Sequence, residues 1–143
     1  MALLSVTRVR LHKARFAVPF VRFAIASANQ ARQSDGFIGG YLANGWPLTF
    51  WTVTVWQDRE AMQAYRGSGT HREAMPSLAG WCSEASLASV EREDDSVPEP
   101  PEAGVVLRDH GRTSRVLHPS AAHLAGETWP DGKPGIPGMR LRP

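Results

Sequence analysis

A chain of 143 residues, 42% of them hydrophobic, is long enough to bury one core and too apolar for a disordered segment. A single cysteine excludes an intramolecular disulfide framework, so a reducing, cytoplasmic setting is expected. The net charge of +2 is unevenly spread, with Arg8, Arg10, Lys13, Arg15, Arg22 and Arg32 all preceding the first acid, Asp35; without interleaved aromatics or a nucleic-acid motif this excludes nucleic acid as an expected partner.

Leu3–Leu11 (LLSVTRVRL) is rich in apolar and β-branched residues, alternates in its second half, and reads as the first strand. A helix follows over about Pro19–Gln33. Pro19 suits an early helical position, and Phe16, Phe20, Phe23 and Ser27 recur at helical spacing as one stripe. The apolar run Phe16–Ala28 is broken by Pro19 and Arg22 and is too short to span a bilayer, so stable membrane insertion is not expected.

Phe37–Ala43 (FIGGYLA) is the second strand, and its paired Gly39-Gly40 points to a bulge or a close backbone approach. Asn44-Gly45 is a turn dipeptide, lengthened by Trp46-Pro47. Thr49–Asp58 (TFWTVTVWQD) then reads as a third strand with a tryptophan on each face. Phe50, Thr52, Thr54 and Trp56 point one way, Trp51, Val53 and Val55 the other.

Asp58 can cap the next helix, whose apolar side is Ala61, Met62 and Tyr65. Gly67-Ser68-Gly69 interrupts it, and Thr70-His71-Arg72-Glu73 has capping-box spacing, so the helix is expected to restart at His71. Met75, Leu78 and Trp81 follow at roughly helical spacing, with Pro76 expected to kink the segment. Cys82 beside Trp81 reads as a small core filler. Ala85–Val90 is the fourth strand. Beyond it, Glu91–Glu102 (EREDDSVPEPPE) is acidic and proline-rich, Ala103–His110 reads as a short helix, and Trp129–Pro143 reads as extended, draped over the surface or a partner. The expected organisation is a domain over residues 1–91, a linker over 92–102 and a C-terminal extension over 103–143.

Strand, helix, strand, strand, helix, strand is the split β-α-β order of a ferredoxin-like α+β domain. Two helices cover one sheet face. The other, with Trp51, Val53 and Val55, is expected to be shielded by a second copy packing sheet on sheet in a homodimer, with the C-terminal tail as the competing cover.

The block FWTVTVWQDREAMQAYRGSGTHREAMPSLAGWCSEAS, preceded by GFIGG, resembles the antibiotic-biosynthesis-monooxygenase-like group of dimeric α+β barrels, and within it an uncharacterised bacterial family. Arg115–His123 (RVLHPSAAH) is similar to that family's C-terminal signature, and the tryptophan strand and histidine helix more distantly resemble spheroidene monooxygenase. The resemblance implies a pocket between sheet and helices lined by Phe50, Thr52, Thr54 and Trp56, with Trp51, Val53 and Val55 at a dimer interface. It also implies cofactor-free oxygen chemistry or haem degradation. The haem-ligating histidine of the latter members falls on Met75 here, with His71 one turn earlier, so no cofactor is expected and haem stays a third reading.

His71 reads either as a general base or as a helix-start histidine whose charge is disfavoured by the helix terminus. Trp56 and Tyr65 can bracket a flat aromatic molecule, with Thr52 and Thr54 on the same face and Met75 nearby. Arg115, His118 and His123 flank Pro119 without a carboxylate or cysteine at ligand spacing; Arg115 is expected to pair with an acid, the histidines to bond backbone carbonyls, and His12 and His110 to have no companions. No dinucleotide fingerprint, phosphate loop or nucleophile elbow occurs. The expected function is that of a small oxidoreductase resembling cofactor-free monooxygenases and acting on a planar apolar molecule. The alternative is a non-enzymatic ligand-binding dimer.

Overall fold

The computed structural model describes residues 1–143. Strands β1 (Ala2–Leu11), β2 (Phe37–Gly45), β3 (Thr49–Trp56) and β4 (Cys82–Arg92) lie where alternation places them. Between them run α1 (Ala17–Arg32), α2 (Arg59–Arg66) and α3 (Gly69–Trp81). The last third adds α4 (Pro100–His110), β5 (Arg112–Thr113), α5 (Ala121–Leu124) and β6 (Ile136–Leu141). One antiparallel sheet results, ordered β5-β4-β1-β3-β2-β6. Its inner order, β4-β1-β3-β2, is the ferredoxin-like arrangement.

Register assigns the two faces. β1 pairs β3 with Ser5 opposite Thr54, Thr7 opposite Thr52 and Val9 opposite Phe50, which gathers these residues on one side. Helices α1, α2 and α3 cover that side, with Ala28, Ala31 and Met62 packed on Leu3, Phe37 and Trp56. Phe20 closes the other end against Val9, Leu11 and Cys82. Burial pushes the Cys82 thiol up to about 12, so it acts as core filling.

The opposite face carries Leu4, Val6, Tyr41, Trp51, Val53 and Val55, and the chain covers it by itself. Trp51 is only 3% exposed with no second copy present. Ala103 and Leu107 of α4 and Val97 of the linker join this cluster, and Trp129 meets Trp51 edge to face at 6.2 Å. This overturns the expectation that a homodimer contact shields Trp51, Val53 and Val55. The competing cover is the one that forms, because the C-terminal segment supplies a third layer that two helices on the opposite face cannot. The linker is pinned as well, since the Tyr41 hydroxyl donates to the Pro98 carbonyl at 2.9 Å.

Two local expectations are also corrected. The tail is extended, but Ile136–Leu141 is a strand hydrogen-bonded to β2; Pro137 is tolerated because β6 is an edge. The capping box does not form. α3 starts at Gly69, inside which Thr70 already lies, and the side chain of Gln30 on α1 caps it instead. Gln30 Oε1 accepts from the His71 amide at 3.0 Å, while its Nε2 donates to the carbonyls of Ser68 and Tyr65. The expected Asp58 cap does form, accepting from the Ala61 amide at 2.8 Å. The glycine pair behaves as its sequence suggests. The β2–β3 register shifts between Phe37 and Gly39, and a Cβ on Gly40 would collide with the Val53 carbonyl.

Gly104 of α4 tests the roof. Ala normally favours a helix interior over Gly by about 1 kcal/mol, but a Cβ here would meet the Trp129 ring at 2.6 Å. Gly104→Ala is therefore expected to destabilise, by about 1–3 kcal/mol as overpacking does. Chemical denaturation reads this directly, and a gain in stability would show that Trp129 does not sit against α4.

Candidate functional site

Between the sheet and α1–α3 lies a cavity of about 190 Å³. Every site residue singled out from the sequence borders it: Phe50, Thr52, Thr54 and Trp56 from β3, Tyr65 from α2, and His71 and Met75 from α3. Strand alternation places the first four on one face, and the α2–α3 break turns the chain so that Tyr65 and His71 stand side by side, ring centroids 5.0 Å apart.

Trp56 is wholly buried, stacked on Tyr65 at 5.0 Å and edge-on to Phe37 at 5.3 Å. Its Nε1 donates to Thr54 Oγ1 at 2.9 Å, which leaves the threonine proton free for a ligand. Tyr65 donates its hydroxyl to the Ser27 carbonyl at 3.1 Å. Burial pushes that phenol up to about 12, so it stays protonated and acts as a fixed wall with a polar edge.

His71 is oriented through its other side. Nδ1 lies 3.3 Å from the Arg66 carbonyl, and a carbonyl only accepts, so Nδ1 carries the proton and Nε2 keeps its lone pair. Burial lowers the imidazole pKa below its ordinary value of 6.5; the Arg66 carbonyl opposes this and the Arg66 charge adds to it. A neutral ring with a free Nε2, held between Phe23 and Tyr65, can accept a proton at neutral pH.

Several wall residues were not legible as site residues. Ser5 and Thr7 extend the hydroxyl patch onto β1, and Ser27 faces them from α1, where the sequence suggested only a position on an apolar stripe. Ser114, Arg115 and Val116 close one end. Arg115 makes no ion pair, contrary to expectation, and borders the cavity. The neighbouring histidines also differ from expectation. His123 Nδ1 accepts from the Ala85 amide at 3.4 Å rather than bonding a carbonyl. His118 stacks on His12 with ring centroids 4.5 Å apart, so His12 does have a companion. No three His, Cys, Asp or Glu side chains converge on a point that could hold a metal ion.

A ferredoxin-like α+β domain with a pocket between sheet and helices is thus the class to which the geometry assigns this chain. Residues 21–77 match the family model described as antibiotic biosynthesis monooxygenase, which supports the resemblance drawn from the sequence. Among solved structures, Rv0793 from Mycobacterium tuberculosis is similar with a TM-score of 0.61 at 12% identity, over 67% of this chain and 99% of its own. A putative antibiotic biosynthesis monooxygenase from Nitrosomonas europaea gives 0.58 at 12%, over 64% and 90%. SnoaB from Streptomyces nogalater, a cofactor-independent oxygenase, gives 0.55 at 16%, over 68% and 98%. These likenesses establish the shared fold. Nearly all of each neighbour is used to match about two-thirds of this chain. No curated protein matches the chain. No helix is long and apolar enough to cross a membrane.

Proposed function

We propose that this protein is a cofactor-free oxidoreductase of the monooxygenase kind, acting on a planar, largely apolar phenol. The observation that carries the reading is the His71 imidazole, held through Nδ1 on the Arg66 carbonyl, in the wall of a mostly apolar cavity. His71 is the base. Phe50, Thr52, Thr54, Trp56, Tyr65 and Met75 hold the ring.

The chemistry needs little from the protein beyond position, a base and exclusion of water. His71 takes the phenolic proton. The electron-rich phenolate reduces oxygen, and a C–O bond forms at a ring carbon bearing hydrogen. Loss of that hydrogen with cleavage of the O–O bond leaves a quinone carbonyl and releases water. One oxygen molecule thus supplies one atom to the product and one to water, and no external reductant is consumed.

The cavity suits one or two fused rings, being smaller than the roughly 300–1,000 Å³ usual for drug-sized ligands. Haem does not fit: a tetrapyrrole exceeds this space, and Met75, at the position the resemblance assigns to the haem ligand, is a thioether 39% exposed at the rim.

The test is oxygen uptake with 1-naphthol, together with quinone absorbance. His71→Ala is expected to lower the rate by about 10²–10⁴-fold, the usual contribution of a positioned base, while leaving naphthol binding in place. Because burial depresses the imidazole pKa below its ordinary 6.5, the acid limb of the rate profile should lie below that value. Unchanged turnover in His71→Ala would remove His71 from the mechanism. Binding without oxygen uptake in the parent protein would leave a ligand-binding protein.

A further inference from the structure

The hydroxyl of Ser27 is the one buried side-chain oxygen in the molecule without a hydrogen-bond partner. The residue is 6% exposed and borders the cavity, on the stripe of α1 that also presents Phe20, Phe23, Ala24 and Ala28 to it. Its own carbonyl is taken by Tyr65, which lies against His71, so Ser27 and the imidazole flank the same aromatic wall. A helical serine ordinarily satisfies itself on the carbonyl one turn back; this one does not. Buried donors left unmet are unfavourable and uncommon in folded proteins. Across the cavity Ser5, Thr7 and Thr52 form a second set of hydroxyls that donate to no protein group.

We infer that Ser27 is a specificity-determining residue that donates its hydroxyl proton to an oxygen on the ring of the bound molecule. This rests on the pocket reading above and sharpens it: the ligand class is an aromatic carrying an acceptor oxygen toward α1, not a bare hydrocarbon. When His71 takes the phenolic proton, the resulting phenolate oxygen is a stronger acceptor than the neutral phenol, so the Ser27 bond tightens as charge develops.

The experiment compares binding of 1-naphthol and naphthalene to the full-length protein by fluorescence titration, with Ser27→Ala and Ser27→Thr alongside the parent. The parent should prefer 1-naphthol. Ser27→Ala should lose about tenfold of that preference, as expected for a hydrogen bond of about 1.4 kcal/mol, with naphthalene affinity kept. Ser27→Thr should retain part of the preference. The pH at which bound naphthol ionises should rise in Ser27→Ala, a shift that a merely structural serine would not produce. Without ligand, Ser27→Ala should melt at the same temperature as the parent or higher, since it deletes an unmet donor. A melting temperature lowered by several degrees, or an unchanged preference for naphthol, would overturn the assignment while leaving the pocket intact. Failure of both probes to bind the parent protein would remove the pocket reading and this inference together.

Discussion

Removing residues 93–143 is expected to convert the chain into an aggregate or an obligate oligomer. The segment lost carries α4, the linker valine Val97 and Trp129, which together roof Leu4, Val6, Tyr41, Trp51, Val53 and Val55. Burial of such side chains contributes about 1.5–3 kcal/mol each. Baring six of them forfeits on the order of 10 kcal/mol, comparable with the whole stability of a domain. The loss of β6 also takes Leu141 from the cavity wall and leaves β2 as an open edge beside the new apolar face. Size-exclusion chromatography with light scattering, together with a dye that reports exposed apolar surface, measures the outcome. A truncated chain that stays monomeric and dye-silent would mean the roof is dispensable. A defined dimer would show the face to be self-complementary once uncovered, the arrangement that the first ninety residues suggest when read alone.

That contrast shows which parts of the architecture are written locally. β1 to β4 are legible because a period of two survives in short windows, and the Asp58 cap is legible because donor and acceptor are three residues apart. The true cap of α3 is not, because Gln30 and the His71 amide are separated by 41 positions and meet only after α1 packs beside α3. The strand in the tail is masked by Pro137 and Gly138, which weigh against a central strand and say little about an edge. The cavity wall on β3 follows from alternation, and with it Phe50, Thr52, Thr54 and Trp56. Ser5 and Thr7 require the β1–β3 register, which no local pattern specifies. Ser27 is the sharpest case: a small residue on an apolar helical stripe looks like packing until the absence of any partner for its hydroxyl is visible.

The second large effect lies on the roofed face, where Arg8 and Glu84 are buried together. Arg8 Nη1 donates to Glu84 Oε1 at 2.9 Å with the two side chains only 1% and 6% exposed. Ser120 donates to Glu84 Oε2 at 2.8 Å, and Arg8 Nη2 reaches Asp131 at 3.4 Å, so both members also hold the C-terminal segment. Glu84→Ala is expected to destabilise by about 3–5 kcal/mol, chiefly by leaving the guanidinium charge buried with Asp131 alone. Burial raises the Glu84 carboxyl, but the hydrogen bonds from Arg8 and Ser120 and the charges of Arg8 and Arg10 outweigh it and hold the group below its ordinary 4.5. A depressed carboxylate contributes stability above its unfolded value and loses it as pH falls through the folded one. Denaturant midpoints should therefore drop below about pH 4.5 in the parent and less so in Glu84→Ala. The double variant Arg8→Met with Glu84→Leu removes both charges and should recover much of the loss, because desolvating the pair costs about as much as its attraction returns. Arg8 Nε, buried without a partner, adds to that cost in the parent. If the double variant is folded but its C-terminal segment becomes protease-sensitive, the ion pair serves to fix the register of the roof on the sheet. If it is as unstable as Glu84→Ala, the buried charge is not the source of the loss.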